Sequence, residues 1–135
     1  MTRIKTKYLG ELRTEATHIQ SGTTLITDAP IDNHGKGEYF SPTDLVATAL
    51  GSCMVTIMGI AAKAHHFSID GTTWEITKVM SADTPRRIAE IKIELKLPHV
   101  SYTDQQRKII DHCIKNCPVA LSLHPEVKQT VSVIY

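Results

Sequence analysis

Charge of one sign is what this sequence most plainly lacks. Fifteen Lys and Arg stand against fourteen Asp and Glu in 135 residues, for a net charge of +1, and no block of like charges appears. That excludes the electrostatic footprint of a nucleic-acid binder or of a protein drawn to an acidic membrane. Seven Gly and six Pro are scattered rather than clustered, which argues against a disordered segment. The N-terminus, MTRIKTKYLGELRTE, has no apolar signal-peptide core. Cysteine is scarce, at Cys53, Cys113 and Cys117. Three thiols in an unsignalled chain point to a reducing cytoplasm, where paired cysteines are more often catalytic, redox-active or metal-bound than structural. There is no GxSxG, no phosphate-cradling glycine loop, no HExxH and no internal repeat.

Against these absences stands one long apolar stretch, Ser41 to Phe67. It is uncharged from Leu45 to Ala62, with Cys53 near its middle. Its start is explicit. Ser41 is placed to cap a helix by accepting from the N–H of the third helical residue. Pro42 at the first helical position leaves no N–H unsatisfied, and Asp44 puts negative charge where the dipole favours it. The helix is apolar nearly all round, so both faces are expected to be buried. The run is single, short for a membrane span and holds Thr48, Ser52 and Thr56, so it is read as a buried helix of a soluble protein, with a second subunit as one source of cover.

The remainder reads as α+β with a mostly antiparallel sheet in one domain, residues 1 to 135. Residues 3 to 27 read as strands, with Tyr8 to Thr17 interrupted by Gly10 and a turn at Gln20-Ser21-Gly22. Asp28 to Tyr39 is a loop. Trp74 to Met80 and Arg87 to Leu97 alternate as strands, the second with Ile91, Ile93, Leu95 and Leu97 on one face. Thr103 to Asn116 is a helix with a capping box, Thr103 with Gln106. Cys117 stands before Pro118, which opens a short helix to Leu123, and Val127 to Ile134 is the last strand.

A cysteine reacts as its thiolate and needs a positive neighbour or a helix N-terminus. Cys53 has neither: its helical neighbours are uncharged, and on residues alone it reads as a small core residue. Cys117 has the N–H groups of the Pro118 turn to lower its pKa, or is a helix-break residue with an incidental thiol. Cys113 lies one turn earlier. His112, Cys113, Cys117 and His124 match no zinc pattern. His18, His34, His65, His66 and His99 form no motif; His65 and His66 suit the end of the long helix.

SPTDLVATALGSCM, together with NCPVALSL placing Cys117 64 residues after Cys53, resembles the OsmC/Ohr family over essentially the whole chain. The resemblance implies an OsmC/Ohr-like fold: a long central helix, a mostly antiparallel sheet and an intertwined homodimer. It implies a thiol-dependent peroxidase in which Cys53 attacks an organic hydroperoxide, and hydrogen peroxide as a further substrate. Cys53 becomes a sulfenic acid and condenses with Cys117 to a disulfide, which a dihydrolipoyl-type dithiol reopens. No cofactor or metal is implied. Arg13, nine residues before Gly22, matches the arginine that holds the thiolate and polarises the peroxide. The best-known members carry a Glu ten residues before the reactive Cys; this chain has Thr43 there. Asp44 falls on the opposite helix face from Cys53. Glu38 is the leading substitute carboxylate, with Glu11 and Glu15 behind it. A dimeric binding protein for an apolar ligand, and a sensor using Cys113 and Cys117, are the alternative readings.

Overall fold

The computed structural model describes residues 1–98 and 101–135; His99, grouped above with the other histidines, lies outside them. The elements run β1 (Ile4–Gly10), β2 (Arg13–His18), β3 (Thr24–Asp28), a 3-10 turn (Ile31–Asn33), α1 (Pro42–Ala64), β4 (Thr73–Met80), β5 (Ile88–Lys96), α2 (Asp104–Lys115), α3 (Pro118–Ser122) and β6 (Lys128–Ile134). They form two three-stranded sheets, β1-β2-β3 and β4-β5-β6. Three of the four strand pairs are antiparallel; β6 returns parallel to β5, from Glu90↔Lys128 to Lys96↔Ile134. The chain divides into two compact units, Met1–Val46 and Ala47–Tyr135, referred to below as the arginine unit and the thiol unit.

In the arginine unit the first hairpin turns inside what alternation alone reads as one strand. Gly10 pairs with Arg13, and Glu11 and Leu12 between them both take positive φ, 50° and 63°. A two-residue turn of this hand matches the twist of the flanking strands, but its usual signature is Asn-Gly. Glu11-Leu12 carries no such signature, so the turn is hidden from a reading of residue types. Its neighbours hold it: the Leu12 N–H donates to Tyr8 Oη at 3.2 Å, the Leu12 carbonyl accepts from Ala29 N–H at 3.0 Å, and Glu11 pairs with Lys36 at 2.6 Å. The second turn falls where expected, with Gly22 at φ 72° and its N–H donating to the His18 carbonyl.

The buried residues of this unit are Thr27, Asp28 and Ser41, all polar, while Ile4, Tyr8, Leu25, Ile31 and Phe40 are exposed. The start of α1 closes the unit. Ser41 Oγ accepts from Asp44 N–H at 3.1 Å, and the Asp44 carboxylate accepts from Ser41 N–H at 2.8 Å. Asp44 is therefore half of a reciprocal cap.

The thiol unit has an ordinary apolar core. Ile91, Ile93 and Leu95 of β5 face Leu50, Met54 and Met58 of α1, with Ile110 and Ile114 of α2, in one buried cluster. The outward positions of β5, Lys92, Glu94 and Lys96, are exposed, as the alternation requires. A Cβ on Gly51 would lie 2.8 Å from Ile76 Cδ1 and 2.9 Å from Trp74 Nε1, so α1 approaches β4 through a side chain reduced to hydrogen.

Helix α1 buries one stripe, Ala47, Leu50, Gly51, Met54, Met58 and Ala62, and not both faces: Ser52, Thr56 and Ile60 are exposed. It is long and apolar enough to cross a membrane by length and composition, with a mean hydropathy of 2.0, but that stripe is spent on the core. It ends at Ala64, three residues before the expected limit. His66 adopts φ 59°, its N–H reaches back to Lys63, and Phe67 N–H reaches back to Ala62. That is a Schellman stop with His in the place usually held by Gly. Helix α2 has the expected capping box, with Thr103 Oγ1 accepting from Gln106 N–H and the Gln106 side chain returning the bond.

Candidate active site

Cys53 is half-buried in α1, and Cys117 and Cys113 are buried; all three are free thiols. Cys117 is the N-cap of α3, its Sγ accepting from Ala120 N–H at 3.3 Å, with Pro118 at the first helical position. Burial pushes the Cys117 thiol above its ordinary value, and the neighbouring Cys53 thiol pushes it further; the N–H groups of Ala120 and Val119 pull the other way and are outweighed. The helix start was expected to lower this pKa. It does act in that direction, but Cys117 is 0 % exposed and the desolvation of a thiolate is the larger effect. Burial alone raises Cys113. The thiol unit thus brings Cys53 and Cys117 into one packed cluster, with burial favouring the protonated Cys117 thiol. Among the described residues, no group of three or more His, Cys, Asp and Glu is arranged to hold a metal ion.

The arginine unit contains the second cluster. Arg13, first residue of β2, is directly opposite Asp28, last residue of β3. Its Nε donates to Asp28 Oδ1 at 2.7 Å and its Nη2 to Asp28 Oδ2 at 2.9 Å, a bidentate pair. Nη2 also donates to Glu38 Oε2, and the Tyr39 ring lies under the guanidinium with its centroid 4.7 Å from Cζ. Asp28 is 1 % exposed and accepts from Glu38 N–H at 3.1 Å. Arg13 holds its carboxyl below the usual carboxylate range, aided by backbone N–H groups, and Asp28 followed by Glu38 raises the guanidinium above its own range.

Of the carboxylates considered from the sequence, Glu38 reaches Arg13, and Glu11 is engaged by Lys36. Glu15 sits across from Ile26 and Lys7. Thr43 faces the helix start, its hydroxyl 3.1 Å from Ser41 Oγ. Asp28, the residue with the fullest grip on Arg13, was taken as the first residue of a loop. The signal for it was partial: the observed register is centred between Gln20 and Ser21 and carries Arg13 to Asp28, whereas a turn centred on residues 20–22 would carry it one residue further.

Comparison with known proteins follows from this geometry. A family model described as OsmC-like protein matches residues 35–132. No curated protein matches in sequence. A crystal structure from Psychrobacter arcticus 273-4, provisionally described as an osmotic stress induced and detoxification response protein, is 51% identical; the alignment covers 99% of this chain and 96% of that one, with a TM-score of 0.92. The fold also matches an organic hydroperoxide resistance protein OsmC from Legionella pneumophila at 14% identity, covering 98% and 96%, TM-score 0.79. The organic hydroperoxide resistance protein OhrB of Bacillus subtilis matches at 12% identity, covering 99% and 98%, TM-score 0.71.

Proposed function

This chain belongs to the OsmC-like family, and from that premise we propose that it is a cysteine peroxidase that reduces organic hydroperoxides. The Cys53 thiolate attacks the outer oxygen of the O–O bond. The bond breaks, the alcohol leaves with a proton, and Cys53 carries a sulfenic acid. The Cys117 thiol then displaces hydroxide from that sulfur, water departs, and a Cys53–Cys117 disulfide forms. A dithiol of dihydrolipoyl type reduces the disulfide by two exchange steps and becomes the disulfide itself. Arg13 supplies N–H donors to the peroxide oxygens as charge develops.

One observation carries this reading: Cys53 packs against the buried cluster that contains Cys117, its thiol near enough to perturb that of Cys117. A resolving thiol must meet the sulfenate before solvent oxidant does, and it is best kept protonated until then. Burial keeps Cys117 protonated.

The working form is a homodimer, and the exposure pattern supports it. A three-stranded sheet with only polar buried residues lacks the apolar face needed to stand alone, and Ile60 on α1 is 62% exposed. Cover from a second copy answers both. A soluble dimer acting on peroxides with thiols at rest belongs in the reducing cytoplasm.

The test is a stoichiometric titration with cumene hydroperoxide and with hydrogen peroxide. The expected result is loss of two thiols per chain and one Cys53–Cys117 disulfide by mass mapping. Cys53→Ser abolishes turnover; Cys117→Ser permits a single attack and blocks recycling. Unchanged peroxide consumption in both variants would end this reading. A second reading, a dimeric binding protein for an apolar ligand, is favoured by Thr43, whose hydroxyl serves the helix start. Thiols indifferent to peroxide, with an apolar molecule copurifying, would select it.

A further inference from the structure

Arg13 has five N–H donors, and their disposition is uneven. Nε is taken by Asp28, and Nη2 is shared between Asp28 and Glu38. The two hydrogens on Nη1 meet no partner among the described residues. The Tyr39 ring covers one flat face of the guanidinium. The side chain is therefore held along one edge and on one face, and offers one corner.

The two carboxylates that hold it are not equivalent. Asp28 is buried, is bidentate, and is itself fixed by the Glu38 N–H. The Glu38 side chain is 58% exposed and makes one contact through a flexible arm. An exposed ion pair is weakened by solvent and by salt, whereas a buried bidentate pair sets an orientation. Asp28 also sits at a fixed register position opposite Arg13 in the β2–β3 ladder, so its carboxylate is placed by backbone pairing as well as by the loop.

We propose that Asp28 is the positioning residue for Arg13: its carboxylate locks the Nε–Nη2 edge and thereby presents the Nη1 corner, in one orientation, to the oxygen of the reactant. This rests on the peroxidase reading for what the reactant is, but not for the orientation itself. Glu38 is a secondary contact. A site of this kind offers the N–H donors of Nη1 to an incoming oxygen, while the negative charge of Asp28 and Glu38 offsets that of Arg13. The bound group it suits is a neutral hydroperoxide rather than one already carrying a carboxylate at the reacting end.

Three variants test the proposal. Asp28→Glu keeps the charge and moves the carboxylate by about one C–C bond; because misplacement by about 1 Å can cost about a hundredfold in rate, kcat for cumene hydroperoxide is expected to fall at least tenfold, with KM within threefold and the melting curve retained. A merely structural or charge-balancing role predicts full rescue by Glu, and a kcat within threefold of the wild type would overturn the proposal. Glu38→Gln is expected to lower kcat less than threefold; a larger fall than that of Asp28→Glu would also overturn it.

Labelling of Arg13 with phenylglyoxal, mapped by mass spectrometry, needs no activity and separates this proposal from the peroxidase reading. Asp28→Asn is expected to label at least fivefold faster than the wild type, and Glu38→Gln less than twofold faster. The reverse order would overturn the proposal even in a protein that consumes peroxide. If Asp28→Asn fails to fold, Glu38→Gln decides: a fivefold gain there makes Glu38 the anchor and ends the proposal, and a gain under twofold supports it. If the wild type consumes no peroxide, the function falls and the labelling order still decides the anchor.

Discussion

The arginine unit and the thiol unit are built on opposite plans. In the thiol unit apolar side chains are buried and charges are exposed, with Ile91, Ile93 and Leu95 inside and Lys92, Glu94 and Lys96 outside. In the arginine unit the buried residues are Thr27, Asp28 and Ser41, and the large apolar side chains are exposed. Burial of apolar area is the main driving force for folding, so the thiol unit holds itself together. The arginine unit is organised by a charged pair and hydrogen bonds. The lesson is that stability and the presentation of a charged group have been assigned to different stretches of one chain.

The largest effect that would sharpen this contrast is in the core. Leu50→Ala removes a fully buried side chain facing β5, and is expected to cost about 2–5 kcal/mol in denaturant unfolding. The same truncation at the exposed Leu25 is expected to change unfolding of the isolated chain little. Next is cover. Phe40 is 56% exposed, and Phe40→Asp is expected to weaken self-association at least tenfold in sedimentation, about 1.4 kcal/mol, with the circular dichroism of the chain retained. An unchanged association constant would remove the exposed apolar face from the dimer argument.

Acid and base divide the two units further. The carboxyl of Asp28 titrates below its ordinary 3.8 because Arg13 bonds the charged form. Its stabilising contribution is complete above that value and is lost as pH falls through the depressed one, because the unfolded chain then binds the proton first. The thiols of Cys113 and Cys117 titrate above their ordinary 9.0 because burial disfavours the thiolate. Their contribution is complete below 9.0 and is lost as pH rises through the raised values. Hydrogen exchange is therefore expected to open residues 27–40 first in acid below about pH 4, and residues 110–120 first in alkali. The same end failing first at both extremes would contradict the division. The smallest effect is in labelling: at pH 8 iodoacetamide is expected to modify half-buried Cys53 several-fold faster than Cys117 or Cys113, read by mass spectrometry.

How much of this was legible in the residues depends on how local each determinant is. The Ser41 cap of α1, the capping box of α2 and the alternation of β5 are local, and they lie where expected; the return bond from Asp44 is additional. The turn at Glu11-Leu12 and the stop at His66 rest on positive φ in residues that do not advertise it, and only tertiary contacts hold them there. The division into two sheets and the parallel return of β6 follow from choices among distant partners, which no window of sequence contains. The candidate site was half legible. Cys53, Cys117 and Arg13 were singled out, and Cys53 packs against the buried cluster that holds Cys117. Asp28 was missed because it was weighed by its neighbours in sequence instead of by its partner across the hairpin.

Two helices in this chain begin on the same backbone figure. Ser41-Pro42 opens α1 with Oγ accepting from the third helical N–H, and Cys117-Pro118 opens α3 with Sγ accepting from the equivalent N–H. The first is a template for editing the second. Replacing sulfur by oxygen at 117 keeps an acceptor where one is needed, so Cys117→Ser removes the thiol without removing a fastening. The disulfide proposed above would do the opposite, drawing the sulfur into a bond while its helix still needs an acceptor. The start of α3 is thus the place where that proposed oxidation would be felt by the backbone, through the Ala120 N–H.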